Sequence, residues 1–325
     1  MTVYAVIGLG SIGKRHISNL RELYPKAVVY AVSASGRHKD LPEGADALVN
    51  LEKLIISKPA FVVIASPAPF HVSTAKKLIL AEIPVLIEKP VSDSFVNSKE
   101  LLGFFGSVCS VNVAVGYCLR FLPSAQLVKK VIEQNILGEV YNVKATVGQY
   151  LPDWRSDKNY KESVSAKREL GGGALLELSH ELDYLLWLFG LVDVVYSYLR
   201  TTKELDLAVE EIADLVLVNE KGLHISVHLD FIQKSPQRQC EVIGEKGRLV
   251  WDLVDNSVTF FQSDKSRVLF MDPEYDKNNM YIDMLRAFES MDDQGIGELA
   301  TISSSVKVLE LVDKAKRINS WRESF

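Results

Sequence analysis

One histidine of the chain stands between two carboxylates at helical spacing. Glu177 precedes His180 by three residues and Asp183 follows it by three, in an apolar stretch that begins at three consecutive glycines. Residues three apart on a helix share adjacent surface, and a histidine beside carboxylates can exchange a proton near neutral pH. The pattern predicts an acid/base group at His180, supported by Glu177 and Asp183. The alternative for each is a structural role on a helix.

A glycine motif near the N-terminus predicts a dinucleotide site. It lies between an apolar run and a helical pattern, and a second apolar run completes a βαβ unit. Gly8 allows the tight turn, Gly10 lets the backbone approach a pyrophosphate, and Gly13 permits close packing of helix and strand. The start of such a helix binds phosphate through its free N–H groups. The predicted contacts are Gly8, Gly10, Ser11, Ile12 and Gly13. A plain glycine-rich turn is the alternative.

The end of the second apolar run bears on the choice of cofactor. An acidic residue that would hold the ribose 2′-hydroxyl is expected about 20 residues after the glycines, and the sequence lacks one there. The segment instead supplies hydroxyls and cations, at Ser33, Ser35, Arg37 and His38, followed by Lys39. These groups suit a 2′-phosphate, so we predict that NADP is preferred to NAD. A solvated, charged loop is the alternative.

Two more segments follow apolar runs of the predicted parallel sheet. Ligands of such sheets bind beyond the carboxyl ends of the strands. The residues predicted there to border the cofactor are Ala65, Ser66, Pro67, His71, Glu88 and Lys89. Lys89 precedes a proline, which favours an extended backbone at the lysine. The alternative for Lys89 is a surface lysine at a strand end.

A long polar loop around residues 149–160 is predicted to contribute to specificity. In it, Trp154 can stack on a sugar face, and Arg155, with Arg168 beyond the loop, can grip a carboxylate or phosphate. If these cations face the substrate, it is a sugar acid or a nucleotide sugar. The alternative is a surface loop held by one buried tryptophan.

Composition limits the class of protein. The chain has 325 residues, 47% of them hydrophobic, and a net charge of -5. Its length predicts two domains, and the charge argues against general nucleic-acid binding. Three cysteines and six histidines without metal-ligand spacing predict no metal site and fit a reducing cytosol. Neither a membrane span nor a signal peptide is predicted, so we expect a cytoplasmic protein.

The apolar runs predict how these groups are positioned. Residues 1–119 are predicted to form an α/β Rossmann domain with a doubly wound parallel sheet. Residues 120–325 are predicted to form an α+β domain with a large open sheet. Segments of alternating polarity joined by tight links at 219–222 and 244–247 make that sheet mainly antiparallel.

Taken together, the motifs resemble the Gfo/Idh/MocA family of NAD(P)-dependent oxidoreductases. The resemblance lies in the segments 8–16, 64–71, 88–90, 115–121 and 171–183. It implies that Lys89 lies at the nicotinamide and contacts the substrate hydroxyl, that His180 is the catalytic acid/base group, and that Arg120 is near the substrate. It also implies a homodimer or homotetramer formed through the second-domain sheet.

Two positions depart from the family pattern. The family has an acidic residue four positions before the histidine, where this chain has Leu176, with Glu177 one position later. Cys118 stands where the family commonly has asparagine. The role of Glu177 is therefore open, since either the helix entry is shifted or the longer side chain reaches the site by another route.

The sequence thus predicts an enzyme that transfers a hydride between NAD(P) and a hydroxyl-bearing carbon of a sugar, sugar acid or nucleotide sugar. The resemblance extends to relatives that build cell-surface sugars. One alternative is a sugar- or cofactor-sensing protein without turnover, because fold does not decide function. Another is different chemistry on a related scaffold, such as reduction of imines or tetrapyrroles, or a glycosidase that uses NAD transiently.

Overall fold

The computed structural model describes residues 1–36, 40–108, 111–155, 159–290 and 297–319, without the side chain of Arg155. The density of contacts divides the chain into two compact units. The first comprises Met1–Phe121 and Lys277–Leu309, and the second comprises Leu122–Asp276 and Glu310–Phe325. The sequence predicted a single division at 119/120, whereas the first compact unit also takes residues 277–309.

The first unit contains a six-stranded parallel sheet. Its strands are β1 (Val3–Ile7), β2 (Val28–Val32), β3 (Ala47–Leu48), β4 (Phe61–Ile64), β5 (Val85–Ile87) and β6 (Val113–Val115). Their order is β3-β2-β1-β4-β5-β6, with every pair parallel. All residues of β4 and β5 are buried, as expected of strands covered on both faces. The predicted doubly wound fold is confirmed.

The second unit contains an eight-stranded sheet. Its strands are β7 (Val140–Gly148), β8 (Val192–Arg200), β9 (Ile212–Asn219), β10 (His224–Asp230), β11 (Gln237–Gly244), β12 (Gly247–Asp252), β13 (Ser257–Gln262) and β14 (Lys265–Met271). Their order is β14-β13-β12-β11-β7-β10-β9-β8. The pairs are antiparallel except β7 with β10. The predicted mainly antiparallel sheet is therefore confirmed, with a central parallel pair that the sequence did not reveal.

Helices cover these sheets. They are α1 (Ser11–Leu23), α2 (Leu51–Ile56), α3 (His71–Leu80), α4 (Phe95–Val108), α5 (Pro123–Glu133), α6 (Ala174–Glu177), α7 (His180–Phe189), α8 (Asn279–Ser290) and α9 (Ile302–Ile318). In the second unit, Trp251 of β12 is fully buried. Its indole N–H donates to Ser124 of α5 at 2.9 Å, and its ring lies 5.1 Å from that of Tyr184 on α7. Both helices thus contact the buried face of the sheet.

Aromatic contacts explain why α8 belongs to the first unit. Phe288 of α8 meets Phe61 of β4 edge to face, with ring centroids 5.3 Å apart. Tyr281 of α8 meets His16 of α1 in the same way at 6.0 Å. Both Phe288 and Phe61 are fully buried. A late segment of the chain therefore completes the core around the parallel sheet, which sequence order alone did not predict.

A cluster of charged side chains lies near the end of β10. His228 lies between two carboxylates, with Nδ1 2.6 Å from Asp214 and Nε2 2.9 Å from Asp230. Asp230 is buried and also accepts hydrogen bonds from the backbone N–H groups of Ile232 and Gln233. The hydrogen bonds to Asp214 and Asp230 raise the pKa of His228 to about 9. The protonated ring therefore stabilises this strand end.

We expect the stability of the protein to fall between pH 6.5 and about pH 9. The folded-state pKa of His228 is raised from 6.5 to about 9, so its contribution is complete below 6.5 and is lost as pH rises through 9. Because the ring is 35% exposed, the effect should be on the order of 1 kcal/mol. Urea unfolding at a series of pH values measures it.

His228→Gln should flatten this dependence, and His224→Gln, on the same strand, serves as the matched control. Equal pH dependence in the wild type and in His228→Gln would contradict the assignment.

Candidate functional site

The glycine turn after β1 is shaped by two close approaches. Gly8 has a φ of +100°, and a Cβ there would lie 2.5 Å from the backbone of Ala65 and Ser66. A Cβ on Gly13 would lie 1.8 Å from the carbonyl oxygen of Gly8. No other residue fits either position, so the start of α1 lies directly against the ends of β1 and β4.

Gly10 differs from these two glycines. Among the described residues, no atom lies within 4 Å of the position that its Cβ would take. Gly10 caps α1 without a side-chain hydrogen bond, and the first turn of α1 contains no acidic residue. The first-turn N–H groups of a helix have no carbonyl partner within it. Open space beside uncapped amides fits the phosphates of a dinucleotide.

The ends of the neighbouring strands adjoin this turn. β1 pairs with β4 and β4 pairs with β5, so the segments after these strands lie side by side at the carboxyl edge of the sheet. The strand order reverses between β1 and β4, which is where such folds bind ligands. Ser66 is buried, and its hydroxyl has no hydrogen-bond partner among the described residues.

Glu88 joins α1 to the segment after β5. Its buried carboxylate accepts from His16 Nε2 at 2.6 Å and from the backbone N–H of Lys89 at 3.1 Å. A Cβ on Gly116 would lie 3.2 Å from this carboxylate, so the glycine leaves room for it. Sequence reasoning did not single out His16, although His16 lies within the segment that carries the family resemblance. The half-buried Lys89 is followed by a cis peptide bond to Pro90.

The other predicted cofactor contacts lie as follows. Ser33 begins a turn that is closed by the N–H of Gly36, which donates to the Ser33 carbonyl at 3.2 Å. Ser35, in the same turn, is exposed. Arg37 and His38 lie outside the described residues. His71 is buried, and both its ring nitrogens lie at backbone carbonyls. Like Glu88, it contacts hydrogen-bonding groups of the protein itself.

In the second unit, two polar side chains remain accessible in a buried stretch. Within residues 171–185, all of which are described, Glu177 and His180 are half-buried and every other residue is buried. Glu177 ends α6 and His180 begins α7, so the two lie on either side of a helix break and not within one regular helix. Leu176, at the family's acidic position, is 3% exposed, and Asp183 is 1% exposed. Glu177 is therefore the accessible carboxylate next to His180 in the sequence.

Charged residues hold these two helices in place. The carbonyl of Glu210 accepts from the N–H of Ala174 at 2.9 Å. A Cβ on Gly173, where φ is +109°, would lie 2.4 Å from the Glu210 carboxylate. The fully buried Glu181 of α7 accepts two hydrogen bonds from Arg238 of β11, at 2.7 and 3.1 Å. This bidentate pair fixes α7, and with it His180, to the sheet.

The predicted substrate contacts lie in different environments. Trp154 is half-buried and packs edge to face on the buried Phe231, with centroids 5.4 Å apart. Arg168 is exposed and donates to the carbonyl of Ala208 at 2.9 Å. Arg120 is 5% exposed, and the side chain of Arg155 lies outside the described part. The packing of Trp154 favours the structural alternative for that residue.

In the described ranges, no helix has both the length and the apolar character needed to cross a membrane. No group of three or more histidine, cysteine, aspartate or glutamate side chains in the same ranges is arranged to hold a metal ion.

The fold and the glycine turn define a dinucleotide-binding protein, and family models agree. Residues 3–111 match the model of an oxidoreductase family with an NAD-binding Rossmann fold, and residues 125–250 match the GFO/IDH/MocA C-terminal domain. The chain belongs to the GFO/IDH/MocA family. The predicted family and the predicted enzyme class, an NAD(P)-dependent oxidoreductase, are confirmed.

Individual relatives share limited identity with the chain. An uncharacterised oxidoreductase of Synechocystis sp. is 38% identical over 143 residues, which are 43% of this chain and 38% of the relative. The chain thus spans well under half of that protein. Inositol 2-dehydrogenase of Corynebacterium glutamicum is 24% identical over 252 residues, which are 74% of this chain and 71% of the relative.

Solved structures with the same fold match nearly the whole chain. Levoglucosan dehydrogenase in complex with NADH and levoglucosan has a TM-score of 0.81 and 18% identity, with 98% of each chain covered. The WlbA dehydrogenase of Bordetella pertussis, in complex with NADH and UDP-GlcNAcA, has a TM-score of 0.76 and 22% identity, with 99% of each chain covered. At these identities the likeness concerns the fold.

The two kinds of glycine in the turn predict opposite effects of adding a methyl group. Gly10→Ala should leave the Tm unchanged, because its Cβ meets open space, but should weaken NAD(P) binding at least about tenfold. Gly13→Ala should destabilise the protein without ligand by about 3 kcal/mol or more, because its Cβ would overlap backbone. Calorimetric titration and thermal unfolding measure the two effects. Unchanged NAD(P) affinity in Gly10→Ala would exclude the phosphates from this turn.

Proposed function

We propose that this protein is a dehydrogenase or reductase that acts on a hydroxyl-bearing carbon of a sugar, sugar acid or nucleotide sugar. One observation carries the proposal: Lys89 follows β5, two strands from the glycine turn of β1, at the same edge of one sheet. A cation at this edge lies in the region where the fold holds its ligands.

The proposed chemistry assigns Lys89 to the substrate oxygen. When bound, NAD or NADP takes up or supplies the hydride. Negative charge develops on the oxygen as the hydroxyl proton leaves, or in reduction as a hydride is added to the carbonyl carbon, and the Lys89 ammonium donates a hydrogen bond to it. Such preorganised donors stabilise the transition state more than the ground state. Glu88, which accepts from the backbone N–H of Lys89, holds the start of this segment in place.

His180 is proposed to move the proton. It accepts the hydroxyl proton during oxidation and returns it during reduction, so proton and hydride together account for both hydrogens lost from the alcohol. The accessibility of His180 in a buried stretch and its anchorage through Glu181 support this role. That Lys89 and His180 serve one substrate rests on the family resemblance. Glu177 is proposed to orient or tune His180.

The substrate class is proposed from the relatives. Inositol, levoglucosan and UDP-GlcNAcA, named with three of them, are ring compounds with secondary hydroxyls. A secondary alcohol on a polar ring is therefore the proposed target. Anionic sugars form the finer proposal, in which Arg155 and Arg168 bind a carboxylate or phosphate, and a role in cell-surface carbohydrate synthesis stays a prediction.

We expect Lys89→Ala to lower kcat about a hundredfold or more while the Kd of the cofactor changes little. His180→Ala should lower the rate by about 100- to 10,000-fold, most strongly near neutral pH, because the proposed proton acceptor and donor is lost. Steady-state kinetics with cyclic polyols, sugar acids and nucleotide sugars measures the loss of kcat in each variant. Repeating the measurement over a pH series tests the pH dependence expected for His180→Ala.

Exposed residues provide the controls for this experiment. Lys77→Ala and His224→Ala should behave like the wild type, since both side chains are exposed. Near-normal turnover in Lys89→Ala would remove the lysine from the mechanism, and an unaltered pH profile in His180→Ala would remove the histidine. Tight cofactor binding without turnover of any compound would instead favour the sensing protein.

Ser33→Asp should shift the cofactor preference toward NAD. The new carboxylate can bind a ribose 2′-hydroxyl but repels a 2′-phosphate. The ratio of kcat/KM for NADP to that for NAD should fall at least about tenfold, while Ser35→Ala should change the ratio less. If the ratio is unchanged in Ser33→Asp, the proposed preference for NADP does not depend on this turn.

A homodimer or homotetramer is also proposed, formed through the sheet of the second unit. The outer face of this sheet carries both apolar and polar side chains, among them Tyr196, Val216 and Lys144, around a shallow depression. Light scattering of the preparation used for kinetics gives its mass in solution.

A further inference from the structure

His71 lies between the segments that follow β4 and β5. Its Nε2 is 2.6 Å from the carbonyl oxygen of Ser66, and its Nδ1 is 2.9 Å from that of Pro90. It is the first residue of α3 and is 1% exposed. The imidazole ring thus lies between backbone carbonyls of the segments that follow two adjacent strands.

The sheet itself cannot supply this connection. The ladder between β4 and β5 reaches Ile64 opposite Ile87, and the N–H of Glu88 then donates to the Ile64 carbonyl at 2.8 Å. Beyond this bond each segment contains a proline, Pro67 after β4 and Pro90 after β5. Proline has no N–H to donate. Here a side chain connects the two segments instead of the backbone.

The chemistry of the ring makes the bridge specific to histidine. Carbonyl oxygens only accept hydrogen bonds, so a ring nitrogen that bonds to either of them must carry an N–H group. Imidazolium donates to both carbonyls, whereas neutral imidazole donates to one of them at a time. Burial lowers the pKa of His71, against the opposing effects of the two carbonyls and of the Glu88 and Asp93 carboxylates. A phenyl ring has a similar shape but no donor.

We infer that His71 is a positioning residue that acts on Lys89 through the carbonyl of Pro90. This inference rests on the proposed function, in which Lys89 contacts the substrate oxygen. The backbone on either side of Lys89 is then held by a buried histidine: His16 acts through the Glu88 carboxylate, and His71 acts on Pro90. His71 also ties this backbone to Ser66, next to the glycine turn.

The test compares a variant without a donor with one that keeps a donor. His71→Phe should lower kcat about ten- to a hundredfold, because a small misplacement of a reacting group is costly, while the KM of the cofactor changes less than about threefold. His71→Asn keeps an N–H group near the Nδ1 position and should recover much of the kcat at a similar Tm. Equal losses of kcat in the two variants would overturn the inference.

Lys89→Ala and the double variant Lys89→Ala/His71→Phe complete a double-mutant cycle. If His71 acts through Lys89, His71→Phe should lower the residual rate of Lys89→Ala less than about twofold. A full further loss would place the effect of His71 elsewhere and overturn the inference. Normal activity in Lys89→Ala would refute the proposed role of Lys89 and this inference with it. A weak Lys89→Ala enzyme together with a normal His71→Phe enzyme would refute the inference alone.

Discussion

A carboxylate that is buried away from solvent needs hydrogen-bond donors within the protein. In the first unit, the buried Glu88 imposes this requirement on the residues around it. Its oxygens accept from His16 on α1 and from the N–H of Lys89, because leaving either lone pair unmet in the interior is costly. Helix α1 and the segment after β5 are thereby held together. Gly116 on the next segment provides the space. Hydrogen bonding of this buried carboxylate thus helps to hold the backbone at the half-buried Lys89.

The order of the strands makes this pairing local. β1, β4 and β5 are neighbours, so three segments that are far apart in the chain meet at one edge. Backbone contact brings the first two together at Gly8, and His71 connects the second and third. The glycine turn and the backbone around Lys89 are therefore held by close approaches at glycines and by buried histidines, as well as by the strands themselves.

The second unit positions its polar groups by different means. A bidentate pair, Glu181 with Arg238, anchors α7, and Glu210 holds the start of α6. Burial of the other side chains of residues 171–185 leaves Glu177 and His180 as the accessible pair. The helix break between them separates two residues that regular helical spacing would place on one surface.

The sequence alone determined the parallel sheet, the glycine turn, the mainly antiparallel second sheet and the family, because each depends on short-range periodicity or on a contiguous motif. Only the tertiary structure placed α8 beside the parallel sheet, paired β7 with β10, and showed that Glu88 and His71 bind groups within the protein. Those outcomes depend on contacts between residues that are distant in the chain. A local pattern identifies residues that can do chemistry, whereas packing decides which of them are buried and paired and which remain open to a ligand.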